Sequence, residues 1–299
     1  MSFSFSIQAP PTSNTLIPLL MIDAHIHLWD IRRLAYPWLE GVPCINRTFL
    51  PADYDEARGS TQVDAMVFVQ CECRPAQHLE ELAWVQSLAD ADPRLQAIVP
   101  WAPLEDGDAV AEELRVIAAD PRVKGVRRII EFEEDIDFCI RPSFVKGVQL
   151  LGETGLHCEV TIGPRHFPNV MKLVNVCPGT RFILDHIGCP NIAGGVLQPW
   201  KDYLKAFADS GPHPCKFSNL VCNADLDKWT VADLRPFADA VIEAFGTERL
   251  IWGSDWPHAL RASSWTRWLE TAQELTAGLG ASAQRKIFHD NAKTFYRLT

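Results

Sequence analysis

Eight short runs of β-branched and apolar residues alternate with amphipathic helical stretches across 299 residues, with no internal break in composition. That pattern predicts the α/β class and, within it, a single TIM-type (β/α)8 barrel over residues 21–299. Eight is the number of strands a closed parallel barrel needs, and roughly 250 residues is its ordinary size. The histidines and aspartates of three of these runs, His25 and His27, Asp185 and His186, and Asp255, fall at or just past their C-terminal ends, the face where barrels build their pockets.

Residues 1–20, "MSFSFSIQAPPTSNTLIPLL", read as a flexible N-terminal extension. They have no basic leader and no apolar span of ~20 residues, so neither a signal peptide nor a membrane helix is expected. Met21 stands directly before the first strand and is a candidate start residue. The strands then follow as "MIDAHI", "VDAMVFVQ", "LQAIVP", "VKGVRRI", "LHCEVTI", "RFILDH", "CKFSN" and "RLIWGS". Between the first two lies a stretch too rich in Trp, Tyr, Pro and Phe for a plain helix, which predicts an elaborated first βα loop. Helices are expected over residues 77–89, where Leu79, Leu82, Val85 and Leu88 form one stripe, and over 109–118, 143–153, 169–176, 199–208, 231–245 and 264–275. Pro142 and Pro199 suit helix starts, where a missing amide proton costs nothing. A last helix around 281–289 and the segment "NAKTFYRL" close the chain.

The 28 basic against 38 acidic side chains leave a formal charge of −10, which argues against nucleic acid as a partner. A hydrophobic fraction of 47% excludes disorder as the main state. The nine cysteines include no CxxC pair, so a cysteine zinc site is not expected; they read as reduced thiols in a cytoplasmic protein.

Three motifs carry the chemistry. In "DAHIHLWD", His25 and His27 sit two apart at a strand end, so both point to the same side. The run "RFILDHIGCP" delivers Asp185 and His186 at its end, and "RLIWGSDWPH" delivers Asp255, with His258 behind it. Taken singly, each has a bland reading: a histidine satisfied by backbone carbonyls, or an aspartate capping a turn. Together they reinforce one another, because a closed barrel makes its first and last strands neighbours and gathers His25, His27 and Asp255, with His186 across the mouth. Ser254 has no His–Asp pattern of its own, which disfavours a serine nucleophile. Arg127 and Arg128 alternate, so one faces the mouth and the other the helix layer. Trp38 and Trp256 are candidates to stack on a substrate ring, and His258 to contact it.

This ordered series resembles the amidohydrolase superfamily, and more closely its lactonase branch of sugar-lactone and pyrone-dicarboxylate hydrolases. The resemblance runs from about Met21 to Leu298 through "YPWL" (Tyr36–Leu39), "VKGVRR", "FCIRPSFVKGVQLLGETGL", "DHIGCP", "WTVADLRPFADAVIEAFGTERLIWGSDWP" and "NAKTFYRL". It implies that Asp255 activates water and that His25, His27 and His186 polarise the carbonyl, all four serving as ligands where a divalent metal is bound. Two-metal relatives need a bridging lysine or glutamate on the fourth strand and a histidine on the fifth. Here those strands offer Lys124, Arg127 and Arg128, then His157 and Glu159, with His157 at the wrong end. One zinc ion is therefore expected, with metal-free catalysis left open. The resemblance selects Arg127 as the inward arginine that binds substrate, and marks Glu72 and Glu131 as departures that bear on specificity. The expected activity is hydrolysis of a lactone, a six-carbon sugar lactone before a pyrone-dicarboxylate. A nonoxidative decarboxylase of the same superfamily and a non-catalytic binding barrel are the alternatives. No nucleic-acid or membrane partner is expected, and a homo-oligomer is compatible with the sequence.

Overall fold

The computed structural model describes residues 21–299; the expected extension over 1–20 lies outside the described residues. Eight parallel strands alternate with helices: β1 Ile22–Ile26, β2 Ala65–Val69, β3 Leu95–Val99, β4 Gly125–Ile129, β5 His157–Thr161, β6 Arg181–Leu184, β7 Cys215–Phe217 and β8 Leu250–Trp252. Hydrogen bonding runs β1-β2-β3 and β4-β5-β6-β7-β8. Parallel bridges Ile98↔Val123 and Ile26↔Trp256 join the two sets at both seams, so the barrel closes. Strands buried on both faces need continuous apolar sequence, which is why they were legible as runs rather than alternations.

Seven helices lie where the periodicity placed them, within one to two residues at most ends: α2 His78–Ala91, α3 Ala111–Ala118, α4 Pro142–Glu153, α5 Phe167–Val176, α6 Trp200–Asp209, α7 Val231–Phe245 and α8 Trp265–Thr276. The first βα segment is elaborated as expected, but it also contains α1, Pro51–Arg58. Its sequence "PADYDEAR" carries a single buried side chain, Tyr54, too little for a visible apolar stripe. Tyr54 docks the helix by donating its hydroxyl to Asp23 Oδ2 at 2.9 Å. Asp23 also accepts from Trp265 Nε1 and from the Ser254 amide, tying β1 to α1, α8 and the end of β8.

One apolar cluster fills the shell between strands and helices. A smaller one, including Val67, Ala97, Ile183 and Ile251, lies inside the barrel and is joined by Tyr296 and Leu298. Those two residues belong to the C-terminal segment, which runs as α9 Ala281–Arg285, a π turn Lys286–Asp290 and α10 Asn291–Tyr296.

A departure from regular alternation positions the site. Ile22 and Ala24 join the inner cluster and Asp23 bonds to the outer layer, so strict period two would turn His25 outward. The β1–β2 register shifts between Asp23 and Ile26, and beyond it His25 faces inward while Ile26 packs in the outer shell. Gly253 lets β8 come this close to β1: a Cβ there would stand 2.7 Å from His25 Cβ and 3.0 Å from its backbone nitrogen.

Candidate active site at the barrel mouth

His25 and His27 leave the end of β1, His186 follows β6 and Asp255 follows β8, and all four are buried together at the C-terminal mouth. Asp255 Oδ1 is the point of convergence. It lies 3.1 Å from His27 Nε2, 3.6 Å from His25 Nε2 and 4.0 Å from His186 Nε2. The imidazoles are oriented from behind: His27 Nδ1 donates to Val69 O at 2.8 Å, and His186 Nδ1 meets Ser218 Oγ at 2.8 Å. The other carboxylate oxygen, Oδ2, accepts from His258 Nδ1 at 2.9 Å, while Arg261 donates to His258 Nε2. Asp255 and His186 both hold positive φ (56° and 52°), as do Glu72, Cys189 and Asn219 at neighbouring strand ends. Such backbone is uncommon outside glycine and clusters where side chains are aimed at a ligand.

Burial lowers the pKa of His25, His27 and His186, the last to about 3, so neutral imidazoles are favoured. Burial works against a charge on Asp255, but His258, hydrogen-bonded to its Oδ2, holds its carboxyl well below the usual range.

Lys216 was not singled out from the sequence, although a lone lysine between Cys215 and Phe217 in an apolar strand is a visible signal. It is fully buried at the centre of β7. Its Nζ donates to Glu159 Oε2 at 2.6 Å and to His25 Nδ1 at 3.0 Å, and pairs with Asp185 Oδ1 at 3.3 Å. Glu159 in turn accepts from Tyr296 OH at 2.7 Å and lies 3.0 Å from His157 Nε2. A buried polar chain therefore runs from the C-terminal segment to the mouth. Because an ammonium only donates, His25 Nδ1 accepts, and the ring proton sits on Nε2, 3.2 Å from His27 Nε2.

The donor set fits one divalent ion. His27 commits its Nδ1 proton to Val69 O, so Nε2 and Asp255 Oδ1 direct lone pairs at one another and require a cation, proton or metal, between them. Four ligands at 2.0–2.1 Å from a tetrahedral ion stand roughly 3.3 Å apart. The edges observed among His25, His27 and Asp255 run from 3.1 to 3.6 Å, while His186 Nε2 stands farther out, 4.0 Å from Asp255 Oδ1, and would have to close in to complete the set. Where His25 Nε2 serves as a ligand, the ring proton would move to Nδ1, and Lys216 would keep Glu159 and Asp185 as its partners.

Above this floor opens a cavity of about 490 Å³ whose lining includes Trp38, Glu72, Arg127, Glu131, Asn219 and Arg261. Arg127 faces it as expected: it is buried, donates Nη2 to Gln70 O, lies with Nη1 3.5 Å from His25 Nε2, and leaves Nε unpaired. Arg128 turns outward to Glu105 and Glu133. Trp38 lines the wall with its Nε1 bonded to Cys71 O. His258 also lines the cavity, although its nitrogens are committed to Asp255 and Arg261. Trp256 is not brought to the cavity: it is 1% exposed and packs edge-on against Phe49 and Tyr54, because the residue after Asp255 points to the outer layer. His157 lies at the bottom of the barrel against Phe295 and Tyr296. Among the described residues, no helix is long and apolar enough to cross a membrane.

Comparison with known proteins agrees with this geometry. A family described as amidohydrolase matches residues 22–298. An L-fucono-1,5-lactonase of Burkholderia ambifaria is 30% identical over 294 residues, covering 93% of this chain and 95% of that protein. An L-rhamnono-gamma-lactonase of Scheffersomyces stipitis is 23% identical, covering 93% and 98%. A crystal structure of an amidohydrolase from Burkholderia multivorans with bound zinc superposes with a TM-score of 0.85 at 27% identity, covering 94% of this chain and all of that one.

Proposed function

The chain belongs to the amidohydrolase family, and on that premise we propose that it hydrolyses a sugar lactone to the open hydroxy acid. The observation that carries the reading is the convergence of three imidazoles on Asp255 Oδ1 at the floor of a cavity large enough for one sugar ring. The names of the lactonase relatives support the substrate class.

Asp255 takes a proton from water as the water oxygen bonds to the carbonyl carbon. Charge then builds on the carbonyl oxygen, where the Arg127 guanidinium, which lines the cavity, is placed to stabilise it. The ring C–O bond breaks, and the proton held by Asp255 passes to the departing ring oxygen, giving a hydroxyl and a carboxylic acid, which then releases its remaining proton to solvent as the carboxylate forms. His258 keeps Oδ2 occupied, so Oδ1 is the oxygen that works. His25, His27, His186 and Asp255 would hold one divalent ion, proposed as zinc, which when bound polarises the carbonyl and acidifies water. A bound zinc in the Burkholderia multivorans structure supports that choice.

The cavity favours a neutral polyol over a dicarboxylate: Glu72 and Glu131 stand in its wall, and Arg261 is turned onto His258. Nine free cysteines fit a reducing compartment. The test is a panel of aldonolactones and pyrone carboxylates, scored by acid release. Turnover of aldonolactones that disappears in Asp255→Asn, with substrate binding retained, is expected. No acid release from any lactone, or near-normal turnover by Asp255→Asn, would refute it.

A further inference from the structure

We propose that the Lys216 ammonium is a tethered cation standing in the place of a second metal ion, so that this centre takes one ion and no more. Two donor groups of metal-binding type meet at the mouth and share His25: one is His25, His27 and Asp255, the other His25, Asp185 and His186, each with its ligand atoms within 4.8 Å of one another. The first faces the cavity and needs a cation between its lone pairs. The second already has one beside it, for Lys216 Nζ lies 3.0 Å from His25 Nδ1 and 3.3 Å from Asp185 Oδ1, and is anchored from below by Glu159 Oε2 at 2.6 Å.

All of these groups are buried, and His25, Asp185, Glu159 and Lys216 fully so. Asp185 Oδ1 has no hydrogen bond of its own, so its compensation comes chiefly from the charge of Lys216, with Arg127 adding to it, the kind of partner an ion would also be. Asp185 Oδ2 is separately fixed by Thr161 Oγ1 at 2.8 Å, which keeps Oδ1 aimed at the ammonium. Two buried carboxylates require positive charge nearby, and here the chain provides it covalently. A divalent ion arriving at Asp185 would have to displace Lys216 from Glu159, its shortest contact, and find room for the ammonium in a packed barrel interior. The same fixed charge lies one imidazole width behind the first site, which limits how many further cations the mouth tolerates. The fourth-strand lysine or glutamate of two-metal relatives has no counterpart among the inward residues of β4, where Arg127 stands.

The test is ion counting, with activity playing no part. Wild type, Lys216→Met and Lys216→Arg are titrated with zinc and with manganese by calorimetry, and the bound ions are counted by elemental analysis after gel filtration. Circular dichroism checks that each is folded. Wild type and Lys216→Arg are expected to saturate at one ion per chain and Lys216→Met at two. If Lys216→Met does not fold, the charge-balanced variant Lys216→Met/Glu159→Gln is read in its place, since it keeps His25, Asp185 and His186 intact; two ions are again expected. Two ions in wild type, or one in the lysine-free protein, overturns the proposal. It rests on reading His25, His27, His186 and Asp255 as an ion site, so a wild type that binds no ion overturns both. One ion in every variant removes only the role given to Lys216.

Discussion

Replacing Gly253 with alanine tests whether the contact between the first and last strands sets the catalytic geometry. The added Cβ would lie 2.7 Å from His25 Cβ, 3.0 Å from its nitrogen and 3.3 Å from its Cα. Ordinary contacts of this kind are about 3.6 Å, so the two strands must part by roughly 0.9 Å. Neither side can yield by rotating a side chain: the crowded atoms belong to the backbone and first carbon of His25, and Gly253 is pinned through its carbonyl by Trp268 Nε1 at 3.0 Å. The displacement therefore falls on the link from the Asp255 amide to His25 O, 2.8 Å long, and on the distances from Asp255 Oδ1 to the imidazoles. Overpacking of this size costs about 1–3 kcal/mol of stability. A misplacement of about 1 Å between reacting groups costs on the order of 10²-fold in rate. The assay is kcat and KM on the best lactone, together with a thermal melt, for Gly253→Ala and for Gly179→Ala, whose added Cβ meets nothing within 4 Å. A fall in kcat of ~10²-fold with a smaller change in KM is expected only for Gly253→Ala. A kcat within twofold of wild type and an unchanged melt would refute the reasoning.

Other perturbations have equally definite outcomes. Chelator-treated protein should lose lactone hydrolysis and regain it with added zinc; full activity in protein shown by elemental analysis to be metal-free would dismiss the ion. Tyr296→Phe removes a 2.7 Å donor from the buried Glu159 carboxylate and should destabilise the fold by about 1.5–3 kcal/mol in urea melts, with kcat changed only a few-fold; an unchanged midpoint would show that Glu159 does not need it. Burial raises the Glu81 carboxyl to about 7, against a usual 4.5. Between those values the folded chain holds a proton that the unfolded chain has lost, so this group lowers stability as pH rises from 4.5 to 7, by about 3 kcal/mol. Glu81→Gln should therefore flatten that part of the stability–pH curve and be the more stable protein above pH 7; parallel curves for the two proteins would contradict this.

Much of the site was legible because it is built at strand ends. His25, His27, His186 and Asp255 each follow an apolar run, and the closed order of strands alone requires the first and last to meet. Arg127 was placed inward, and the structure has it so, with Arg128 turned to Glu105 and Glu133. Other features were hidden because they depend on neighbours far along the chain. The helix α1 owes its place to one tyrosine reaching Asp23, which no periodicity reveals. Trp256 looked like a pocket aromatic, and only the direction of the chain after Asp255 sends it into the outer packing.

From its own pattern the sequence determined the eight strands, seven helices and the order in which His and Asp reach the mouth, since burial on both faces and helical periodicity are local properties. Tertiary structure alone decided that β1 changes phase before His25, and that Lys216 meets Glu159, Asp185 and His25. Those contacts join residues 31 to 191 positions apart and exist only once the barrel has closed, because the partners of a buried charge are chosen by the strands that surround it.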